Sequence, residues 1–158
     1  MRLEGRVAIV TGGGRGIGRA ECEALAREGA AVVVNDFGGG ADGTGGAEGP
    51  ADEVADAITA AGGKAIPHYG DVSNPGTGEE LVQLALSQFG RLDILINNAG
   101  ILRDRMLHNM SEAEWDAVIA VHLKGTFVCT RAAATVFREQ RSGVVVNTGS
   151  ESGLGNMG

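Results

Sequence analysis

Thr11-Gly12-Gly13-Gly14-Arg15-Gly16-Ile17-Gly18 is the feature that most constrains the fold, because of what stands on either side of it. Before it runs Val7-Ala8-Ile9-Val10, short and apolar throughout, as a strand buried on both faces requires. After it Ile17, Ala20, Ala24 and Leu25 recur at helical spacing, and Gly29 is placed to end the helix. A strand that passes through glycines directly into a helix brings free backbone N–H groups and the positive end of the helix dipole to one point. A pyrophosphate can settle there when no Cβ stands in the way.

The alternation continues along the chain. Ala31 to Asn35 predicts a second buried strand, Asp52 to Ala61 a helix, Lys64 to Tyr69 a strand, Gly78 to Phe89 a helix and Leu92 to Asn97 a strand. Ser111-Glu112-Ala113-Glu114 has the capping-box form and opens a long helix reaching about Phe137. Trp115, Val118, Ile119, His122, Leu123, Thr126 and Phe127 are expected on one stripe of it. Val144 to Asn147 is the fifth strand. Strands alternating with helices imply right-handed βαβ units, an α/β fold of the Rossmann type with a doubly wound parallel sheet. Residues 1–158 read as one dinucleotide-binding domain, expected to be the amino-terminal part of a full one, since Val144-Val145-Val146 would otherwise form an uncovered apolar edge. Residues 38–49 hold seven glycines and no large apolar side chain, and are expected to be a mobile surface loop.

Composition narrows the function. The net charge is −7, and seven acids between Glu28 and Gly63, with no Lys or Arg among them, account for the excess. Nucleic-acid backbones and anionic membrane surfaces need clustered cations, so neither is an expected partner. No apolar run approaches membrane-spanning length, and Cys22 and Cys129 form no metal or disulfide pattern. Two buried thiols, no bound metal and a cytoplasmic location are expected.

Asp36 lies 18 residues after Gly18, at the end of the second predicted strand. There a carboxylate can accept from a ribose 2′-hydroxyl and repel a 2′-phosphate, which favours NAD over NADP; Arg15 pulls the other way. The phosphate turn, Asp71-Val72 and Asn97-Asn98-Ala99-Gly100 together resemble the short-chain dehydrogenase/reductase family over essentially the whole chain. The resemblance implies a cofactor site made of Gly12, Arg15, Gly16, Ile17, Gly18, Asp36, Asp71, Val72, Asn98, Ala99 and Gly100. In it Asp71 and Val72 flank the adenine, Asn98 to Gly100 line the cofactor and steady the central strand, and Ile17 backs the nicotinamide.

Val34-Asn35-Asp36-Phe37-Gly38-Gly39 with its long insertion, Gly100-Ile101-Leu102-Arg103-Asp104-Arg105 and Val121-His122-Leu123-Lys124-Gly125 are similar to the (3R)-hydroxyacyl-CoA dehydrogenase branch of peroxisomal multifunctional enzymes. Beta-ketoacyl carrier-protein reductases share Gly-Ile-x-Arg-Asp but usually lack the insertion. The resemblance implies oxidation of a secondary alcohol, such as a 3-hydroxyacyl thioester, to a ketone, and a homo-oligomer, dimer or tetramer, in the complete enzyme. Ser150 is implied as the residue that bonds the substrate oxygen, with Ser152 second. His122 stands where the wider family has a relay asparagine; as a polar residue on an apolar stripe it reads as a satisfied, partly buried histidine with an auxiliary role. The family's Tyr-x-x-x-Lys pair is not in this sequence, whose only tyrosine is Tyr69 and whose only lysines are Lys64 and Lys124. A catalytically inert NAD-binding module is therefore the alternative reading.

Overall fold

The computed structural model describes residues 1–46 and 49–151. Five parallel strands, β1 (Val7–Thr11), β2 (Ala31–Asn35), β3 (Lys64–His68), β4 (Ile94–Asn97) and β5 (Val144–Asn147), form one sheet in the order β3-β2-β1-β4-β5. Chain order reverses between β1 and β4, the switch point outside which an open α/β sheet binds its ligands. Helices α1 (Gly16–Arg27), α2 (Gly49–Ala60), α3 (Thr77–Phe89), α4 (Glu112–Ile119) and α5 (Thr126–Gln140) complete the alternation.

Alternating side chains of the central strands build two cores. Val7, Ile9 and Val33 pack with Leu81, Leu95, Cys129 and Ala133 on one face. Val10, Val32 and Val34 pack with Cys22, Val54 and Ile58 on the other. Ile9, Val10 and Val33 are at most 1% exposed, so truncating Ile9 to alanine should cost about 2–5 kcal/mol. Both cysteines are free and buried. Burial pushes the Cys22 thiol up to about 12 and the Cys129 thiol up to about 11.

Three expectations are revised. Helix α2 starts at Gly49 rather than Asp52, with the buried Pro50 in its first turn, where a missing N–H costs nothing. The long helix is interrupted by a π-helical segment at Ala120–Gly125, and with it residues 112–140 make one helical run of 29 residues. By length and composition that run could cross a membrane, its most apolar window reaching a mean hydropathy of 1.2, although no single apolar stretch of the sequence suggested this. The stripe from Trp115 to Phe127 is not this helix's packed face. Trp115, Leu123 and Phe127 are all more than half exposed, while Gly125, Val128, Cys129, Ala133 and Val136 are the buried residues. Helical periodicity finds an apolar face without saying whether this chain covers it. On β5, Val144 and Val146 are exposed and Val145 faces the core.

Candidate functional site

Register places the last residues of the five strands side by side: His68 beside Asn35, Asn35 beside Thr11, Thr11 beside Asn97, and Asn97 beside Asn147. A polar row therefore crosses the carboxyl end of an otherwise apolar sheet. Thr11 Oγ1 accepts from the N–H groups of Asn98 and Ala99, both at 3.1 Å. Asn98 Nδ2 donates to the carbonyls of Thr11 and Gly12 at 3.1 and 3.0 Å, fastening the glycine turn to β4. Asn97 Nδ2 donates to Thr130 Oγ1 and Asn147 Oδ1, tying β4 to α5 and β5. Asn35 Nδ2 reaches the Gly70 carbonyl at 2.8 Å and His68 Nδ1 at 3.1 Å, and Nδ1 also accepts from the Gly70 N–H. These bonds put the imidazole proton on Nε2, toward Glu80. Burial lowers the His68 pKa, with Glu80 opposing. Asn35 and Asn97 entered the sequence reading only as members of the quoted motifs, with no role of their own, and His68 was not singled out; the available signal was that each apolar run ends on a polar residue.

All eleven residues suggested for the cofactor line one cavity of about 520 Å³ across the switch point. Gly12, Arg15, Gly16, Ile17 and Gly18 form its floor at the start of α1; Asp36 stands at the end of β2; Asp71 and Val72 follow β3; Asn98, Ala99 and Gly100 follow β4. Gly18 cannot carry a side chain, since a Cβ would overlap the Gly12 carbonyl and crowd Asn98 Nδ2. At the N-terminus of α1 no side chain caps the helix among the described residues, and the first turn holds no acid. Its leading N–H groups are left for an anion. Asp36 also has a structural task. Its Oδ2 accepts from the Gly14 N–H at 2.8 Å and its Oδ1 from the Gly38 N–H at 2.7 Å, so it braces the turn while keeping lone pairs for a further donor. Asp71 caps its own turn through the Ser73 N–H at 2.8 Å, and Val72 is buried. Arg103 also lines the cavity, and its buried Nε has no acceptor among the described residues. Donors without acceptors, a helix start without a cap and a cradle that a Cβ would fill suit a phosphate-bearing dinucleotide.

His122 and Ser150 are not part of that lining. His122 lies on the π-helical segment with Nε2 2.8 Å from the Ile101 carbonyl and 3.0 Å from the Ile101 N–H. Its Nε2 is partnered by the Ile101 backbone, as expected, but the residue is exposed, not partly buried, because its helical face is one that this chain leaves largely uncovered, as at Leu123. Ser150 lies in the loop after β5 and is exposed; Ser152 is outside the described residues. Tyr69 is held by Asp52 at the start of α2, its hydroxyl donating at 2.7 Å.

A family model described as short chain dehydrogenase matches residues 6–158. The chain belongs to the short-chain dehydrogenases. A peroxisomal hydratase-dehydrogenase-epimerase of Neurospora crassa is 47% identical to it over 159 residues, all of this chain and 17% of that protein. A hydroxyacyl-CoA dehydrogenase of Mycobacterium tuberculosis is 50% identical over 160 residues, covering 96% of this chain and 49% of that one. The crystal structure of a short chain dehydrogenase from Mycobacterium avium superposes with a TM-score of 0.88 at 50% identity, covering 97% of this chain and 57% of that one. This short-chain dehydrogenase chain thus spans between about a sixth and somewhat over half the length of these relatives. The expected cytoplasmic location is overturned by relatives of fungal, insect and mammalian origin that are named peroxisomal. Two unpaired thiols rule out a disulfide framework only, and that property does not separate one compartment from another.

Proposed function

We propose that this chain forms the nucleotide-binding part of an NAD-linked short-chain dehydrogenase that interconverts a 3-hydroxyacyl thioester and its ketone. The observation that carries the cofactor reading is Asp36 at the end of β2, braced against the uncapped start of α1. The leading N–H groups of α1 would hold the pyrophosphate, and Asp36 would accept from the ribose hydroxyls and disfavour a 2′-phosphate. Asp71 and Val72 would flank the adenine, Asn98 to Gly100 would line the cofactor, and Ile17 would back the nicotinamide. When bound, the nicotinamide supplies the hydride acceptor. Ser150 would orient the substrate oxygen, and His122 would support the wall at Ile101. The substrate class is supported by the relatives named for hydroxyacyl-CoA and for multifunctional enzymes. The exposed Trp115, Leu123 and Phe127 favour self-association as a homo-oligomer.

One observation favours a second reading. The sequence has no Tyr-x-x-x-Lys pair, so the proton acceptor is not supplied by this chain. A positioned general acid or base is worth about 10²–10⁴ in rate, and a chain without one binds nucleotide without appreciable turnover. Calorimetric titration with NAD and NADP, followed by assay of NAD reduction with 3-hydroxyacyl-CoA, separates the readings. Tighter binding of NAD than NADP is expected, and turnover by this chain alone would show that another group replaces the missing pair. Equal affinities would contradict the role given to Asp36. Preferential activity on carrier-protein thioesters with NADPH would favour the reductase branch.

A further inference from the structure

Within the glycine-rich segment after β2, Gly39, Gly40, Ala41 and Gly43 line the same cavity as the glycine turn. The segment is fastened to the rest of the crevice by two hydrogen bonds. Arg15 Nη1 donates to the Gly39 carbonyl at 2.9 Å, and the Leu102 N–H donates to the Ala41 carbonyl at 2.9 Å. The segment also braces itself: Asp42 Oδ1 accepts from the Thr44 N–H at 3.0 Å and from its hydroxyl at 2.7 Å, and the Gly40 N–H donates to the Thr44 carbonyl at 2.8 Å. Gly43 lies against Ile101 with φ +78°, and a Cβ there would stand 3.0 Å from both Ile101 Cδ1 and Cγ2. Conformation and space both demand glycine at this contact. The segment therefore joins the two halves of the crevice, the β2 side and the wall that follows β4.

We propose that residues 39–44 are a clasp across the crevice, latched to Ile101–Leu102 and tethered to the glycine turn by Arg15, which slows the exit of a bound dinucleotide. The proposal rests on the dinucleotide reading of the cavity. A ligand reaching from Asp36 to Asn98 passes beneath the span, and its release requires the latch to open. One net hydrogen bond of ordinary strength changes an opening equilibrium by about tenfold at most, so the clasp governs rates without blocking access.

The test compares the wild-type chain with Gly43→Ala and Arg15→Gln by two measurements. Hydrogen exchange at the Leu102 amide, without nucleotide, reads the latch, and stopped-flow fluorescence reads NADH dissociation. Leu102 exchange and NADH dissociation should each be about tenfold faster in Gly43→Ala, with the amides of β1 still protected as proof of folding. Arg15→Gln should accelerate dissociation by a smaller factor. NADH binding with unchanged dissociation in Gly43→Ala overturns the clasp alone. A wild-type chain that protects Leu102 and binds no NADH overturns the dinucleotide reading, and the clasp's role with it.

Discussion

Helices α1 and α4 begin in opposite ways. Helix α4 satisfies its own leading donors: Ser111 Oγ accepts from the Glu114 N–H, and Glu114 Oε2 accepts in return from the Ser111 N–H at 2.8 Å. Its first turn carries Glu112 and Glu114 against the dipole. The Ser111 N–H and hydroxyl, with Arg105, hold the Glu114 carboxyl down to about 2. Helix α1 begins behind Arg15 in an extended conformation, with no acid in its first turn and the glycines keeping its approach open. The leading N–H groups are met by the helix's own side chains in α4, whereas no side-chain cap meets them in α1 among the described residues.

Substitutions should separate the two starts. The largest effect is expected from Gly18→Val, whose side chain would overlap the Gly12 carbonyl and displace the turn. Losing two hydrogen bonds to a charged phosphate, each worth about 1.5–3 kcal/mol, should lower NAD affinity more than a hundredfold by calorimetry. Asp36→Arg should come next. It exchanges a ribose acceptor for a 2′-phosphate donor and should move the NAD/NADP affinity ratio roughly ten- to a hundredfold toward NADP. Absolute NAD affinity should also fall, because the Gly14 and Gly38 N–H groups lose their acceptor. Ser111→Ala, at the other start, should cost about 1 kcal/mol of stability in denaturant unfolding and leave NAD affinity unchanged.

The smallest effect is a pH dependence confined to α4. The Glu114 carboxyl titrates lower in the folded chain than its unfolded value of about 4.3, so its contribution is complete above that pH and is lost as pH falls through about 2. Helical circular dichroism should show this loss in the wild type, and Glu114→Gln should remove it.

The fold was legible because buried parallel strands leave apolar runs and crossover helices leave glycine or proline punctuation. The start of α4 was legible down to its atoms, since a capping box is a local pattern. The eleven cofactor candidates, spread over four loops, meet in one cavity. Three features were not legible in the sequence. The structural bonds of Asp36 depend on the turn and the segment after β2 meeting it, which no spacing encodes. The polar row from His68 to Asn147 depends on strand order, and order follows from packing rather than from local propensity. The placement of residues 39–43 against Ile101 and Leu102 joins parts of the chain about sixty residues apart, whereas composition alone led to the expectation of a mobile surface loop. At the end of the sheet away from the site, Asp93 is a further long-range case. Burial works to raise its pKa, but hydrogen bonds from Arg91, Arg6 and the Val7 N–H outweigh that and hold it below the usual carboxylate range.

The most direct test of the contrast between the two helix starts is an amide NMR titration of this chain with NAD. Saturable shifts are expected at Gly14, Gly16, Ile17 and Gly18 and at Asn98 to Ile101, with Ser111 to Trp115 unmoved. A folded chain with no saturable shift at the glycine turn, or with its shifts centred elsewhere, would contradict the assignment of the α1 N-terminus as a nucleotide site.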